Sequence, residues 1–155
     1  MSKDLSKRAK EIIEQIKYIT IASVTPAGEP WNSPVFGGYD ENYNLYFGTY
    51  RKSQKAKNIE ANNKVFVVIY DSTVQPGTGE GVYIKGKAFP LTNPEEIKRV
   101  YDLLKPRHDD HFWEFEALDG TGPIRLYKIV PEQAWMNGDG KDSGYCVDIR
   151  TEINL

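Results

Sequence analysis

The sequence predicts a mainly β domain with short helices, built as a closed or partly closed antiparallel barrel with the helices at its ends. Three observations carry that expectation. About seven short segments are rich in β-branched and aromatic residues. Most of them follow one another through turn signals short enough for hairpins. Only three helical patterns interrupt them, without the strand–helix alternation that a doubly wound parallel sheet requires.

Leu5, Ala9, Ile12, Ile13 and Ile16 recur at helical spacing, which places an amphipathic helix over residues 3–17. "YITIASV" (18–24) alternates as a first strand, and "TPAGEP" turns the chain with Pro26 and Gly28. "WNSPVFGGYD" (31–40) reads as a second strand. Pro34 cannot donate to a sheet ladder, so this strand is expected at an edge or to be irregular. After "ENYN", "LYFGT" (45–49) is a third strand. Ser53 is placed as the N-cap of a short helix over 54–61.

"KVFVVIYD" (64–71) is nearly all apolar and reads as a central strand; "STVQPGTGEG" is a loop, and "VYIKGKAF" (82–89) a fifth strand. Asn93 then caps a helix with Pro94 in its first position and Glu95 and Glu96 in its first turn. Ile97, Val100, Tyr101 and Leu104 form its buried stripe, and Pro106 ends it. Residues 107–122 are polar and irregular, with a short helix around "FWEFEAL". "IRLYKIV" (124–130), "QAWMN" (133–137) and "YCVDIR" (145–150) are strands, with "GDGKDSG" as the last turn.

The 155 residues suffice for one domain with a real core, and no repeat, low-complexity tract or linker divides them, so 1–155 is read as a single domain. A net charge of −2 opposes binding to nucleic acid or to an anionic membrane. No apolar stretch approaches the ~20 residues of a membrane helix. The N-terminal stretch lacks the apolar run of a secretory signal. Cys146, the lone cysteine, excludes an internal disulfide; it fits a reducing cytoplasm and the role of a small packing residue.

Against this acidic background, "YFGTYRKSQKAKN" (46–58) gathers Arg51, Lys52, Lys55 and Lys57 around Thr49 and Ser53 without one acidic residue. A strand running into a helix offers free backbone amides there, and the helix dipole adds positive potential. Cations at a helix N-terminus are mildly unfavourable unless an anion sits among them. Hydroxyls, amides and ammonium groups together suit a phosphate monoester. The plainer alternative is a capped helix with a solvated basic face. The neighbouring Trp31–Val35 segment, disrupted by Pro34, would leave main-chain groups free to meet the edge of a flat heterocycle.

With its order of motifs, "SPVFGGYDENYNLYFGTYRKSQKAKNIEANNKVFVVIYD" resembles the FMN-binding split-barrel proteins, the pyridoxamine 5′-phosphate oxidase-like family, most clearly over residues 18–90. The resemblance implies an antiparallel split β-barrel that binds FMN and works as a homodimer with flavin at the subunit interface. Ser33 and Val35, with Asn32 and Pro34 beside them, fall on the strand whose main chain meets the flavin ring. Thr49, Ser53, Gln54 and Lys55 fall on the phosphate-binding segment, and Trp135 matches a tryptophan that reaches the flavin from the partner subunit. Gln54 stands where the family has arginine, with Arg51 and Lys52 as compensating charges. Ser33 and Gly37 or Gly38 stand where family oxidases carry arginine and lysine, and the late Arg-x-His signature is absent from "DSGYCVDIR". These departures speak against vitamin B6 oxidation and point to a short, general-stress-type member acting on a small-molecule substrate or electron donor.

Two other readings stay open: a flavin carrier or sensor without turnover, and a split barrel using deazaflavin or haem. "HDDH" (108–111) offers two histidines without further ligands at recognisable spacing and reads as a solvated loop. Phe112, Trp113 and Phe115 read as core or interface packing, ahead of the alternative that one of them stacks on a flavin. No nucleophile–base set presents itself, which suits a cofactor that carries its own chemistry.

Overall fold

The computed structural model describes residues 4–142 and 144–155, with the side chains of 139–142 and 145–147 outside the description. The side chain of Cys146, expected to pack as a small residue, therefore lies outside the described residues. Helix α1 spans Leu5–Gln15, and Asp4 caps it by accepting from the Lys7 amide. Strands β1 (Tyr18–Val24), β2 (Pro30–Tyr39) and β3 (Leu45–Tyr50) follow, then α2 (Gln54–Ala61), β4 (Lys64–Tyr70) and β5 (Gly81–Pro90). Helix α3 (Pro94–Leu104) leads into 3-10 turns at Lys105–His111 and Phe115–Ala117, and β6 (Ile124–Asp142) and β7 (Tyr145–Ile153) complete the chain.

All pairings are antiparallel. They run β3–β2–β1–β4–β5–β6–β7, and β3 also pairs with β6, so six strands close into a barrel and β7 extends it beyond β6. This is the split barrel that the sequence leads one to expect. Alternation decides which side chains enter the barrel. Leu45 and Phe47 on β3, Val67 and Ile69 on β4, and Tyr127 and Ile129 on β6 point into one core. Ala9, Ile12 and Ile13 of α1 and Ala56 and Ile59 of α2 join that interior. Each buried valine, leucine or isoleucine among them contributes about 1.5–3 kcal/mol by leaving water. A second cluster lies outside the wall, where Ile97, Val100, Tyr101 and Leu104 of α3 cover Tyr46, Ile124 and Leu126. A Cβ at Gly38 would overlap the Leu104 side chain, so the bare glycine is what lets α3 seat against β2.

Two expectations are corrected. β6 is one strand of 19 residues and not two, because Pro131 is absorbed at a bulge where its pairing with β5 shifts register between Lys85 and Gly86. The "GDGKDSG" stretch is mostly strand, since pairing continues from Gly138↔Ile149 to Asp142↔Tyr145. The α3 helix ends at Leu104, ahead of Pro106 as expected, and a 3-10 turn follows in which the proline is tolerated near the start. The Pro34 expectation holds in a specific form. Residues 30–36 of β2 pair only with β1, and β3 joins the strand only at 37–39, so the proline half is an edge inside an otherwise closed barrel.

Candidate functional site

The open half of β2 forms one wall of a cleft of about 460 Å³. Pro34, Val35 and Phe36 of β2 face Gly48, Thr49 and Tyr50 of β3, and Tyr18 stands at the mouth. Lys55 of α2 closes one end, while His108, His111 and Trp113, from the segment after α3, form the far wall. None of the lining residues is acidic.

The polar end of the cleft is the start of α2. Ser53 takes the extended conformation of an N-cap, and its hydroxyl accepts from the Ala56 amide. The first-turn amides of Gln54 and Lys55 have no acceptor within the helix. Thr49 Oγ1 lies 3.2 Å from Ser53 Oγ and accepts from Lys55 Nζ at 2.9 Å. Thr49 is buried, at 5% exposure. Burial pushes the Lys55 ammonium below its ordinary pKa, and no carboxylate among the described residues pairs with it. Two hydroxyls, free amides and a half-buried cation thus converge on one point.

The aromatic end is built differently. A Cβ at Gly48 would come within 2.8 Å of Trp113 Cζ3, so the indole lies directly on the β3 backbone. His108 packs between Phe36, at 3.4 Å between ring centroids, and Phe112, at 4.3 Å. Burial, and then the charges of Arg107 and Lys17, push the His108 imidazole down to about 4, so it is neutral at physiological pH. Between the two histidines Asp109 adopts φ 48° and ψ −142°, a region that is costly for any residue but glycine.

Residues 5–138 match the pyridoxamine 5′-phosphate oxidase family. The chain belongs to that family. No curated protein matches the chain. Solved structures share the fold at low sequence identity. One is a Listeria innocua protein provisionally assigned as a pyridoxamine 5′-phosphate oxidase: 21% identical, covering 84% of this chain and 95% of that one, TM-score 0.64. The haem storage protein HutZ of Vibrio cholerae is 17% identical over 84% of this chain and 92% of its own, TM-score 0.66. An F420 reductase is 23% identical over 81% and 94%, TM-score 0.63. The family fold therefore accommodates neighbours whose ligands differ.

Set on the family fold, the residues anticipated from sequence divide into two groups. Pro34, Val35, Thr49 and Lys55 line the cleft, and Ser53 is within hydrogen-bond distance of Thr49. The others point elsewhere. Asn32 is exposed and Ser33 half-buried on β2, beyond the lining. Gln54 donates from Nε2 to Asn58 Oδ1 at 2.8 Å, extending a buried chain to Ser23. Arg51 lies outside the lining, and its guanidinium donates to the Gly120 and Gly122 carbonyls. Lys52 is exposed outside the cleft. Trp135 lies on the outer face of β6, stacked on Phe66 at 6.2 Å, away from this subunit's cleft.

Sequence reasoning missed the aromatic wall. The signal was present in "HDDHFW" (108–113), but the polar residues around the histidines favoured a solvated loop. Asp109 and Asp110 are exposed as that reading requires; His108 is not. Among the described residues no group of three or more His, Cys, Asp or Glu gathers to hold a metal, and no helix is long and apolar enough to cross a membrane.

Proposed function

We propose that the chain is an FMN-binding member of the family and acts as an FMN-dependent oxidoreductase. The observation that carries the reading is Lys55: a half-buried ammonium at a helix N-terminus, bonded to a buried threonine hydroxyl, in a cleft without acids. That donor set fits a phosphate monoester dianion. Thr49, Ser53 and Lys55 would hold the phosphate, and the open edge of β2 at Pro34 and Val35, with Asn32 and Ser33 before them, would run along the ring. The isoalloxazine ring, when bound, supplies hydride and electron transfer by itself. The chain binds, orients and shields it from water.

The homodimer belongs to the same reading. The outer faces of β4, β5 and β6 carry Phe66, Tyr70, Tyr83 and Trp135; Tyr70 is 50% exposed and the other three are half-buried. Arg150 of β7 stacks over Tyr83 at 3.9 Å beside them. An aromatic patch of this kind is suited to a second copy, and it would carry Trp135 toward the partner's cleft.

The test is FMN binding by Ser53→Ala with Lys55→Ala. Hydrogen bonds to a charged group are worth about 1.5–3 kcal/mol each, so the double variant should bind FMN at least about a hundredfold more weakly while remaining folded. Unchanged affinity would remove the basic turn from the site. FMN held tightly without NAD(P)H oxidation or reduction of any acceptor would make the protein a carrier or sensor. One observation favours a second cofactor reading: both histidines line the cleft, which gives haem two imidazole candidates that the sequence did not promise. A Soret band in place of flavin bands would select it.

A further inference from the structure

We propose that His108 is the specificity-determining residue of the cleft, donating an imidazole N–H to the oxygen of a planar aromatic carbonyl substrate that lies against Phe36 and Trp113. The geometry carries this in three parts. Phe36, Trp113 and His108 give the far end of the cleft flat, polarizable walls, with Tyr18 and Tyr50 exposed at its mouth. A planar conjugated molecule gains contact there that a flexible aliphatic one does not. Among the described residues neither ring nitrogen of His108 has a hydrogen-bond partner, although its ring is wedged between Phe36 and Phe112. A held ring whose N–H is not consumed internally is a donor prepared for a ligand. Finally, the backbone pays for this arrangement. Asp109, the residue that turns the chain between the two histidines, sits in a conformation that costs about 1–3 kcal/mol.

The lining also sets the sign of the ligand. With no carboxylate in the cleft, a cationic substrate finds no partner. A neutral or anionic one meets only ammonium, hydroxyl and imidazole groups. Because His108 is neutral at physiological pH, it offers one N–H and one lone pair. Its donor suits a carbonyl oxygen, and no full charge is buried in making that bond. Calling the ligand a substrate rests on the oxidoreductase reading; the binding preference itself does not.

The experiment uses a matched pair of soluble probes, anthraquinone-2-sulfonate and anthracene-2-sulfonate, which share a plane and a charge and differ in the two carbonyl groups. Calorimetric titration is done on the full chain, with and without saturating FMN. The wild type is expected to bind the quinone about five- to tenfold more tightly than the hydrocarbon, the worth of one buried hydrogen bond. His108→Phe keeps the aromatic stack and should abolish that preference, with both probes still bound. His108→Gln, which restores a donor, should recover part of it. Equal binding of the two probes by the wild type, or a preference that survives in His108→Phe, overturns the proposal. If FMN fails to bind at all while the probe preference persists, the cofactor reading falls and the specificity assignment stands.

Discussion

Lys55 is the residue whose environment is hardest to explain without a ligand. Its ammonium is half-buried, its pKa is lowered by that burial, and its bond to Thr49 Oγ1 is to a neutral oxygen. A bound phosphate would stabilise the charged form and raise that pKa again. Affinity for FMN should then be present while Lys55 is protonated and be lost as pH rises through its lowered pKa, earlier than for an exposed lysine. Lys55→Arg, which stays charged throughout, should flatten the pH dependence of the dissociation constant measured by flavin fluorescence quenching. A steep alkaline loss retained by the arginine variant would place the titrating group elsewhere. At Gly48 the expectation is steric. An alanine Cβ meets the Trp113 ring at 2.8 Å, so Gly48→Ala should displace the indole, with a shifted tryptophan emission and about 1–3 kcal/mol of lost stability by urea unfolding.

Among the elements, the β2–β3 turn and the segment after α3 make contrasting cases. Asp40 is buried at the turn and accepts from the Asn42 and Asn44 amides, from Asn44 Nδ2 and from Tyr46 OH. Burial alone would push its carboxyl up, but the hydrogen bonds from Asn44, Tyr46 and the two amides outweigh it and hold it below the ordinary range. A depressed folded pKa contributes stability that is present above the unfolded value and is lost as pH falls through the folded one. Asp40→Asn should therefore be less stable at pH 7 by about 1–3 kcal/mol, and it should lose less than the wild type between pH 7 and pH 3 in urea titrations. Local chemistry made α3 legible before any coordinates, since Asn93, Pro94 and the 97/100/101/104 stripe act within a few residues of one another. The segment after it was not legible. Its course depends on Arg107 reaching the Gly37 and Glu14 carbonyls and on His108 meeting Phe36, both contacts across at least 70 residues of chain. Replacing Asp109 with glycine should relieve the φ 48° conformation and leave the fold unchanged or more stable by about 1 kcal/mol, read as a higher unfolding midpoint.

For the whole molecule, closure of the barrel is what turns separate sequence signals into one site. Register pairs Thr20 with Pro34 and Thr49 with Arg125, so β1, β2, β3 and β6 meet around a gap that Pro34 keeps unpaired on one side. Most of the strands and the basic turn could be read from alternation and capping. The single 19-residue β6 could not, because Pro131 looks like a break until the bulge beside it is known, where Glu132 is left over between the partners of Lys85 and Gly86. Which of the candidate residues share a cleft was likewise decided by pairing: Gln54 and Trp135 carry side chains suited to a flavin but face Asn58 and Phe66 within this subunit. The proposed dimer gives Trp135 its place. Trp135→Glu should convert the protein to monomers in sedimentation velocity and weaken FMN binding, whereas a wild type that sediments as a monomer with FMN bound would separate the cofactor from the second subunit.

The most direct measurement is the absorbance spectrum of the protein after loading with FMN and removal of the excess, alongside Ser53→Ala with Lys55→Ala treated in the same way. Flavin bands at one equivalent per chain in the wild type, absent from the double variant, are the predicted result. A wild type that stays colourless, or a double variant that keeps its flavin, contradicts the assignment of the α2 N-terminus as a phosphate site.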